Sequence, residues 1–269
     1  MSYKNITALS AKALLLLTLT TSTLLTGCNT QEVQTNWSAE PVQVDGEMTG
    51  WDGITLTYFE DFGAQLGLSN DNEKLYILFR FNNQAWAQAI RMGGVTLWLD
   101  NSGKKKKDFG IRYTGGLSLS ELQKMRPSGK GGFRETLTPE QQQRLQDMEK
   151  STADQITVID KKSNQEITTR ADGSGGPAAC FASPQGIYTY EFSIPLQKND
   201  VLGYAIGAEP GQIICLGLEW GGISKEDRQK MMDRMGDGRG AGPRGRPGMQ
   251  PPEEEELWVK TQLASPPSG

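Results

Sequence analysis

The chain has 269 residues, with 28 lysines and arginines, 32 aspartates and glutamates, a net charge of −4 and no histidine. Without histidine the chain cannot build Ser-His-Asp or Cys-His nucleophilic sites, the usual zinc sites or histidine-ligated haem. The mildly acidic balance disfavours nucleic acid as a partner, and the length suits one domain of the sandwich type.

The N-terminus carries the pattern of an exported, lipid-modified protein. Two lysines precede an apolar run, Ala13 to Leu25, which is shorter than the roughly 20 residues that span a bilayer. The run continues into Thr26-Gly27-Cys28, which resembles the lipobox of bacterial lipoproteins. The resemblance implies that residues 1–27 are a signal peptide and that Cys28 is acylated and anchored in the lipid bilayer. An ordinary secretory signal with an incidental cysteine is the alternative.

The resemblance also predicts a location in the bacterial cell envelope. Asn29 follows the cysteine where aspartate is the usual inner-membrane retention signal, so we expect the outer membrane. The domain would face either the periplasm or the cell surface.

Composition along the mature chain predicts its organisation. Residues 28–36 are polar and lack periodicity, which indicates a tether, and a folded domain is expected over 37–264 with 265–269 as a tail. Within the domain, residues 224–256 are rich in Gly, Pro, Arg, Met and Glu. Such a segment cannot bury enough apolar surface to offset the entropy of ordering, so we predict a disordered insertion there.

Short β-rich runs separated by turn clusters predict an all-β fold, a jelly-roll-like sandwich of two antiparallel sheets. One short helical insertion is expected, with Thr138 as cap and Pro139 at its first position, running to about Lys150. The predicted strands in chain order are Leu75 to Phe81, Val95 to Asp100, Asp108 to Tyr113, Gln155 to Ile159, Gln165 to Thr169, Tyr188 to Ile194, Ile213 to Trp220 and Leu257 to Leu263.

Two cysteines remain once Cys28 is acylated, in a compartment that permits disulfides. We predict that Cys180 and Cys215 form a bridge that staples the fold, with two buried free thiols as the alternative.

A calcium site is conceivable at the turn after the second predicted strand, because Asp100, Asn101, Ser102 and Asp108 offer oxygen ligands. The four lysines Lys104 to Lys107 would oppose the ion. A solvated hairpin is therefore favoured, and no metal or other cofactor is predicted.

Four separated stretches resemble the family 9 carbohydrate-binding module and its DOMON-like relatives, and they occur in that family's order. The resemblance spans most of the chain from Val44 to about Trp220 and implies a β-sandwich. The stretches are Val44-Asp45-Gly46-Glu47 with Trp51, Asn70-Asp71 through Leu75-Tyr76-Ile77-Leu78-Phe79, Val95 to Asp100, and Tyr190-Glu191-Phe192-Ser193-Ile194-Pro195-Leu196.

The resemblance also nominates carbohydrate-binding residues. In the family a tryptophan before the third stretch forms one wall of a sugar clamp, and Trp86 occupies a comparable place. The second wall comes late in the family's chain, where Trp220, beside Glu219, is the nearest residue. Glu191 is a further polar candidate, with a structural carboxylate as its alternative. Two polar contacts of the family have no counterpart in this chain.

These features predict a lipid-anchored envelope protein that binds a glycan without cleaving it. The alternative is a structural or assembly lipoprotein that contacts another envelope protein. An exposed pair of Trp86 and Trp220 facing one cleft would favour the first, and buried tryptophans with a flat apolar or charged patch would favour the second. Sequence spacing nominates no pair of carboxylates for glycoside cleavage, so an enzyme is not expected.

Overall fold

The computed structural model describes residues 30–116, 138–198, 203–221 and 254–267. These residues confirm the predicted all-β class, because the strands form two sheets that share one core. The described elements are β1 (Gln31–Glu32), β2 (Asn36–Trp37), β3 (Leu56–Phe59), β4 (Ala64–Asn70), β5 (Lys74–Phe81), α1 (Gln84–Gly93), β6 (Val95–Asp100), β7 (Phe109–Tyr113), α2 (Pro139–Ala153), β8 (Gln155–Asp160), β9 (Gln165–Arg170), β10 (Ala178–Ala182), β11 (Tyr188–Pro195), β12 (Ile213–Trp220) and β13 (Glu255–Gln262).

The larger sheet has the strand order β1-β13-β12-β6-β7-β8-β9. The smaller sheet has the order β10-β11-β5-β4-β2, with β3 also paired to β4. The described pairings are antiparallel except for two short parallel ones, β1 with β13 and β2 with β4. The predicted sandwich is therefore present, with parallel pairs at two sheet edges.

Alternation along the strands builds the core, because successive side chains point to opposite faces of a sheet. In β12, Leu216 and Leu218 are buried in the core shared by both sheets, whereas Gly217 between them lies on the outer face. A second, smaller cluster covers the outer face of the smaller sheet. Its buried members are Val42, Trp51, Tyr76 and Leu78.

The N-terminal tether predicted over 28–36 is wrong from Gln31 onward. Gln31 and Glu32 pair with β13, and the side chain of Val33 is buried in the main core. The N–H of Val33 donates to the carbonyl of Lys260 at 3.0 Å. The sequence conceals this because buried Val33 and Thr35 alternate with the exposed polar residues Glu32 and Gln34.

The predicted insertion over 224–256 is too long at its C-terminal end. Glu255 and Glu256 belong to β13, where they pair with Trp220 and Glu219. The rest of that segment up to residue 253 lies outside the described residues, as do the predicted signal peptide, Cys28 and residues 268–269. Among the described helices, none has the length and hydropathy to cross a membrane.

The predicted disulfide is also wrong, because both thiols are free. Cys180 pairs in register with Glu191 in the smaller sheet, and Cys215 pairs with Asp100 in the larger sheet. The side chains point to the outer faces of the two sheets, so the core lies between them. Packed sheets are about 10 Å apart, whereas a disulfide needs Cβ atoms roughly 4 Å apart.

Candidate functional site

Four aromatic side chains pack together where the strands of both sheets end, and we call them the aromatic cluster. They are Phe62, Phe81, Trp86 and Trp220. The rings of Trp86 and Trp220 are 4.8 Å apart at an interplanar angle of 61°. Trp86 also lies 6.1 Å from Phe62 and 5.7 Å from Phe81. The pairs of Trp86 with Trp220 and with Phe81 are edge to face, a geometry that aromatic pairs prefer.

Helix α1 places Trp86 in this cluster. The Asn83 side chain caps the helix by accepting hydrogen bonds from the N–H groups of Ala85 at 2.9 Å and Trp86 at 3.3 Å. Trp86 therefore sits in the first turn. The helix ends at Gly93 and is followed by the cap residue Gly94, whose φ of 86° suits glycine.

Trp86 and Trp220 lie next to each other as predicted, but they do not form an open clamp. Trp220 is only 2% exposed, and the rings meet edge to face with no slot between them for a sugar. Trp86 is half-buried. Trp220 is part of the core because it continues the inward alternation of Leu216 and Leu218.

Glu191 has the structural role that the sequence left open. It is fully buried in β11, on the outer face of the smaller sheet. Its Oε2 accepts the N–H groups of Asp45 at 2.9 Å and Gly46 at 2.7 Å, and its Oε1 accepts Nε1–H of Trp51 at 2.8 Å. Burial raises the pKa of Glu191, and the three donors partly offset that effect. This carboxylate ties the segment around Asp45 to the sheet and is not available to a sugar.

Glu219 lies away from the aromatic cluster, because neighbours in a strand face opposite sides and Trp220 points inward. Its carboxylate accepts Nε1–H of Trp98 at 2.9 Å and pairs with Lys107, which also pairs with Glu256 at 2.7 Å. Burial would raise the pKa of Glu219, but the hydrogen bonds from Lys107 and Trp98 outweigh it and hold the pKa below its usual value. Glu219 therefore belongs to the outer face of the larger sheet.

In the hairpin considered for calcium, the carboxylate of Asp100 is occupied by hydrogen bonds from the backbone of the hairpin itself. Asp100 accepts the N–H groups of Ser102, Lys104 and Lys106 and the hydroxyl of Ser102. The side-chain amide of Asn101 donates to the carbonyl of Gly207. Within the described ranges, no cluster of three or more acidic or cysteine residues has the arrangement of a metal site.

A cleft beside the aromatic cluster was not predicted from the sequence, and we call it the Tyr58 cleft. The Tyr58 side chain is 56% exposed, and the cleft has a volume of about 360 Å³. Phe62 belongs both to the cleft and to the aromatic cluster. The residues that line it are Gln31, Tyr58, Phe59, Glu60, Asp61, Phe62 and Leu257.

A tight turn between β3 and β4 shapes this cleft. The N–H of Phe62 donates to the carbonyl of Phe59, and that of Gly63 donates to the carbonyl of Glu60, both at 3.2 Å. Gly63 has a φ of 57°, which few residues with a side chain adopt. The turn exposes Glu60 and Asp61 and holds Phe62 half-buried. In the run from Tyr58 to Phe62 two acidic residues lie between aromatic residues, which is the sequence signal that could have found the cleft.

A larger groove of about 650 Å³ runs beside β13. It is lined by polar and aliphatic residues, among them the exposed Ile213, and no aromatic ring is among its described lining residues. The Tyr58 cleft is therefore the better candidate for recognising a ligand with both apolar and polar faces.

A scan of family models and a search of curated proteins find no match. A structure search returns a family 9 carbohydrate-binding module from Caldicellulosiruptor kristjanssonii in complex with glucose, at 14% identity and a TM-score of 0.37, covering 73% of this chain and 81% of that one. A family 9 module from the same organism in complex with cellotriose matches at 12% identity and a TM-score of 0.39, covering 87% of this chain and 95% of that one. A candidate carbohydrate-binding protein from Bacteroides uniformis matches at 7% identity and a TM-score of 0.40, covering 87% and 99%. Similarity at this level assigns neither a ligand nor a binding residue to this chain.

Proposed function

We propose that this chain is a lipid-anchored, non-catalytic envelope protein that binds a saccharide in the Tyr58 cleft. The observation that supports it is the combination, in one cleft, of an exposed aromatic ring with two carboxylates and an amide. No bond-breaking step is part of the proposal.

The chemistry of the cleft suits a sugar. The C–H face of a pyranose ring is apolar and can stack on the ring of Tyr58, while its hydroxyls need partners at the rim. Glu60 and Asp61 accept hydrogen bonds from hydroxyls, and the Gln31 amide both accepts and donates. The volume lies near the lower end of the range for ligand pockets, so one or two sugar rings are the expected size.

Saccharide binding is tested with the chain from residue 29 to 269, which retains the whole sandwich from Gln31 onward. Monosaccharides and oligosaccharides are titrated while tryptophan fluorescence is followed, since Trp86 touches the cleft wall through Phe62. We expect a saturable change that Tyr58→Ala weakens at least 10-fold, because aromatic stacking is lost. Ile167→Ala is the control, since Ile167 is also exposed but lies on the distant strand β9. A folded wild-type protein that responds to no saccharide contradicts the proposal.

The proposed anchor rests on the Leu25-Thr26-Gly27-Cys28 motif, and the proposed outer-membrane location rests on Asn29. Acylation of Cys28 would hold the protein on the membrane, because each buried CH₂ of an acyl chain contributes about 0.8 kcal/mol. Phase partition of the wild type and of Cys28→Ser in a bacterial host tests this. The wild type is expected in the detergent phase and the variant in the aqueous phase, and equal partition contradicts acylation.

The second candidate function is that of an assembly lipoprotein, and two observations favour it: Trp220 is buried against Trp86, and the surface carries a charged patch. Two adjacent hairpins of the larger sheet carry the exposed lysines Lys104, Lys106, Lys161 and Lys162 on an acidic protein. Such a surface suits an acidic protein partner. In-cell cross-linking tests it, since the double variant Lys104→Glu with Lys106→Glu should remove a specific cross-link that the wild type forms.

A further inference from the structure

We infer that the saccharide recognised by the Tyr58 cleft is the uncharged headgroup of a lipid in the membrane that carries the protein. This inference rests on the proposed saccharide binding and on the proposed acylation of Cys28. It goes beyond them by naming the source and the charge of the ligand.

The first step concerns the length of chain between anchor and cleft. Gln31 begins β1 and also lines the Tyr58 cleft. Gln31 lies three positions after Cys28, and a fully extended chain covers at most about 10 Å over that interval. An acyl chain on Cys28 therefore brings one wall of the cleft to within about 10 Å of the bilayer surface.

The second step concerns the attachment of Gln31 to the sheet. Gln31 and Glu32 pair in parallel with Val259 and Lys260, and the next residue, Val33, is buried in the core. Lengthening the linker by unpairing β1 would break the bond from the N–H of Val33 to Lys260 and expose an apolar side chain, which is unfavourable. The anchor therefore stays short.

The third step concerns which end of the sandwich faces the membrane. Strand β1 is parallel to β13, and Gln31 pairs with Val259. The chain therefore enters the larger sheet at the end where β13 begins, near Leu257. Leu257 lines the cleft as well. The lysine-bearing hairpins follow the opposite ends of the strands, beyond Asp100 and Asp160. The cleft end is therefore the membrane-proximal end.

The fourth step concerns charge. Glu60 and Asp61 are exposed at the rim, and the described residues that line the cleft include no lysine or arginine. Two carboxylates repel phosphate-bearing headgroups across a surface of intermediate dielectric, but they accept hydrogen bonds from sugar hydroxyls. A neutral glycosyl headgroup meets both conditions.

The experiment uses the mature acylated chain reconstituted into phosphatidylcholine vesicles. The vesicles contain increasing fractions of a diglucosyl diacylglycerol or, in a second series, of phosphatidylglycerol. Tryptophan fluorescence is followed in the wild type, in Tyr58→Ala and in a variant with about ten Gly/Ser residues inserted between Asn29 and Thr30, which leaves Gln31 and its neighbour in place. The same proteins are titrated with the free glucosyl disaccharide.

We expect saturable binding of the glycolipid, loss of binding in Tyr58→Ala, and little response to phosphatidylglycerol. The insertion should weaken glycolipid binding about 10-fold, because effective concentration falls roughly as the −3/2 power of linker length. It should leave affinity for the free disaccharide unchanged.

The failures are distinguishable. If neither the free disaccharide nor the glycolipid binds, the proposed saccharide function fails for this sugar class, and this inference fails with it. If the disaccharide binds but the glycolipid does not, or if the insertion has no effect, only the membrane source is overturned. Equal responses to glycolipid and phosphatidylglycerol would show that the cleft end contacts bilayers without recognising a sugar.

Discussion

Replacing Glu191 by glutamine tests whether this residue stabilises the fold or serves a ligand. The carboxylate accepts two backbone N–H groups at 2.9 and 2.7 Å on one oxygen and Nε1–H of Trp51 at 2.8 Å on the other. Glutamine has one acceptor oxygen, so its NH₂ group must face at least one of these buried donors. A hydrogen bond to a charged group contributes about 1.5–3 kcal/mol, and an unpaired buried donor costs about 1–3 kcal/mol.

The neutral amide also removes the unfavourable burial of a charge, which is the reason for the raised pKa of Glu191. We therefore expect Glu191→Gln to lose about 2–3 kcal/mol rather than the full sum of the broken contacts. Urea unfolding at neutral pH measures this loss, and the midpoint of thermal unfolding should fall by roughly 4–12 °C.

The matched control for this substitution is Glu47→Gln, in the same N-terminal segment. Glu47 is exposed, so the change should stay within about 0.5 kcal/mol. Saccharide affinity of folded Glu191→Gln should equal that of the wild type. An unchanged stability together with weakened saccharide binding would refute the structural role and return Glu191 to the binding site.

Three further predictions concern packing, thiols and pH. Gly110→Ala should destabilise the protein by about 1–3 kcal/mol in denaturant unfolding, because its Cβ would lie 2.6 Å from the ring of Trp98; an unchanged midpoint would contradict this contact. Cys180 and Cys215 should both react with a thiol reagent in unreduced, denatured protein, and a mass that changes on reduction would disprove the free thiols. Burial would raise the pKa of Asp100, but its hydrogen bonds outweigh that effect and lower the pKa. The ionised carboxylate therefore stabilises the folded protein above the ordinary pKa of 3.8, and this stabilisation is lost as the pH falls below that value. The destabilisation by Asp100→Asn should accordingly shrink below pH 3.8 in unfolding measurements across pH, and a constant difference would refute it.

Strands that are buried on the inner face and carry a strong apolar pattern were predictable from the sequence. Leu75 to Phe81 is the clearest, because the smaller outer cluster buries even its outward-facing residues Tyr76 and Leu78. Strand β4 was missed although Leu66 and Leu68 alternate inward, because Gly67 between them is typical of a break. In the structure that glycine leaves room for Leu56 and Trp51, which a Cβ would meet at 2.6 and 3.3 Å.

Helix α1 was missed because it is short and lies between two strands. Its signal was present in the cap Asn83 and in the spacing of the buried Ala87 and Ile90. The family resemblance nominated Trp86 and Trp220 as a pair, and the two rings do meet, but the resemblance carries no information about which ring the core covers. Burial depends on the tertiary structure, and the burial of Trp220 excludes an open clamp.

The candidate binding cleft could not be inferred from the stretches that resemble the carbohydrate-binding family, because residues of two of those stretches have a structural role. Asp45, Gly46, Trp51 and Glu191 come from two of the matching stretches, and they meet in one buried hydrogen-bonded unit. Such a unit constrains sequence because each member supplies a donor or acceptor that the others need, whatever the protein binds. The turn Glu60–Gly63 lies outside every matching stretch, and its two acidic side chains are exposed. Substitutions of these exposed side chains should leave the fold intact, so the specificity of the proposed saccharide binding is to be tested in this turn, outside the stretches that resemble the family.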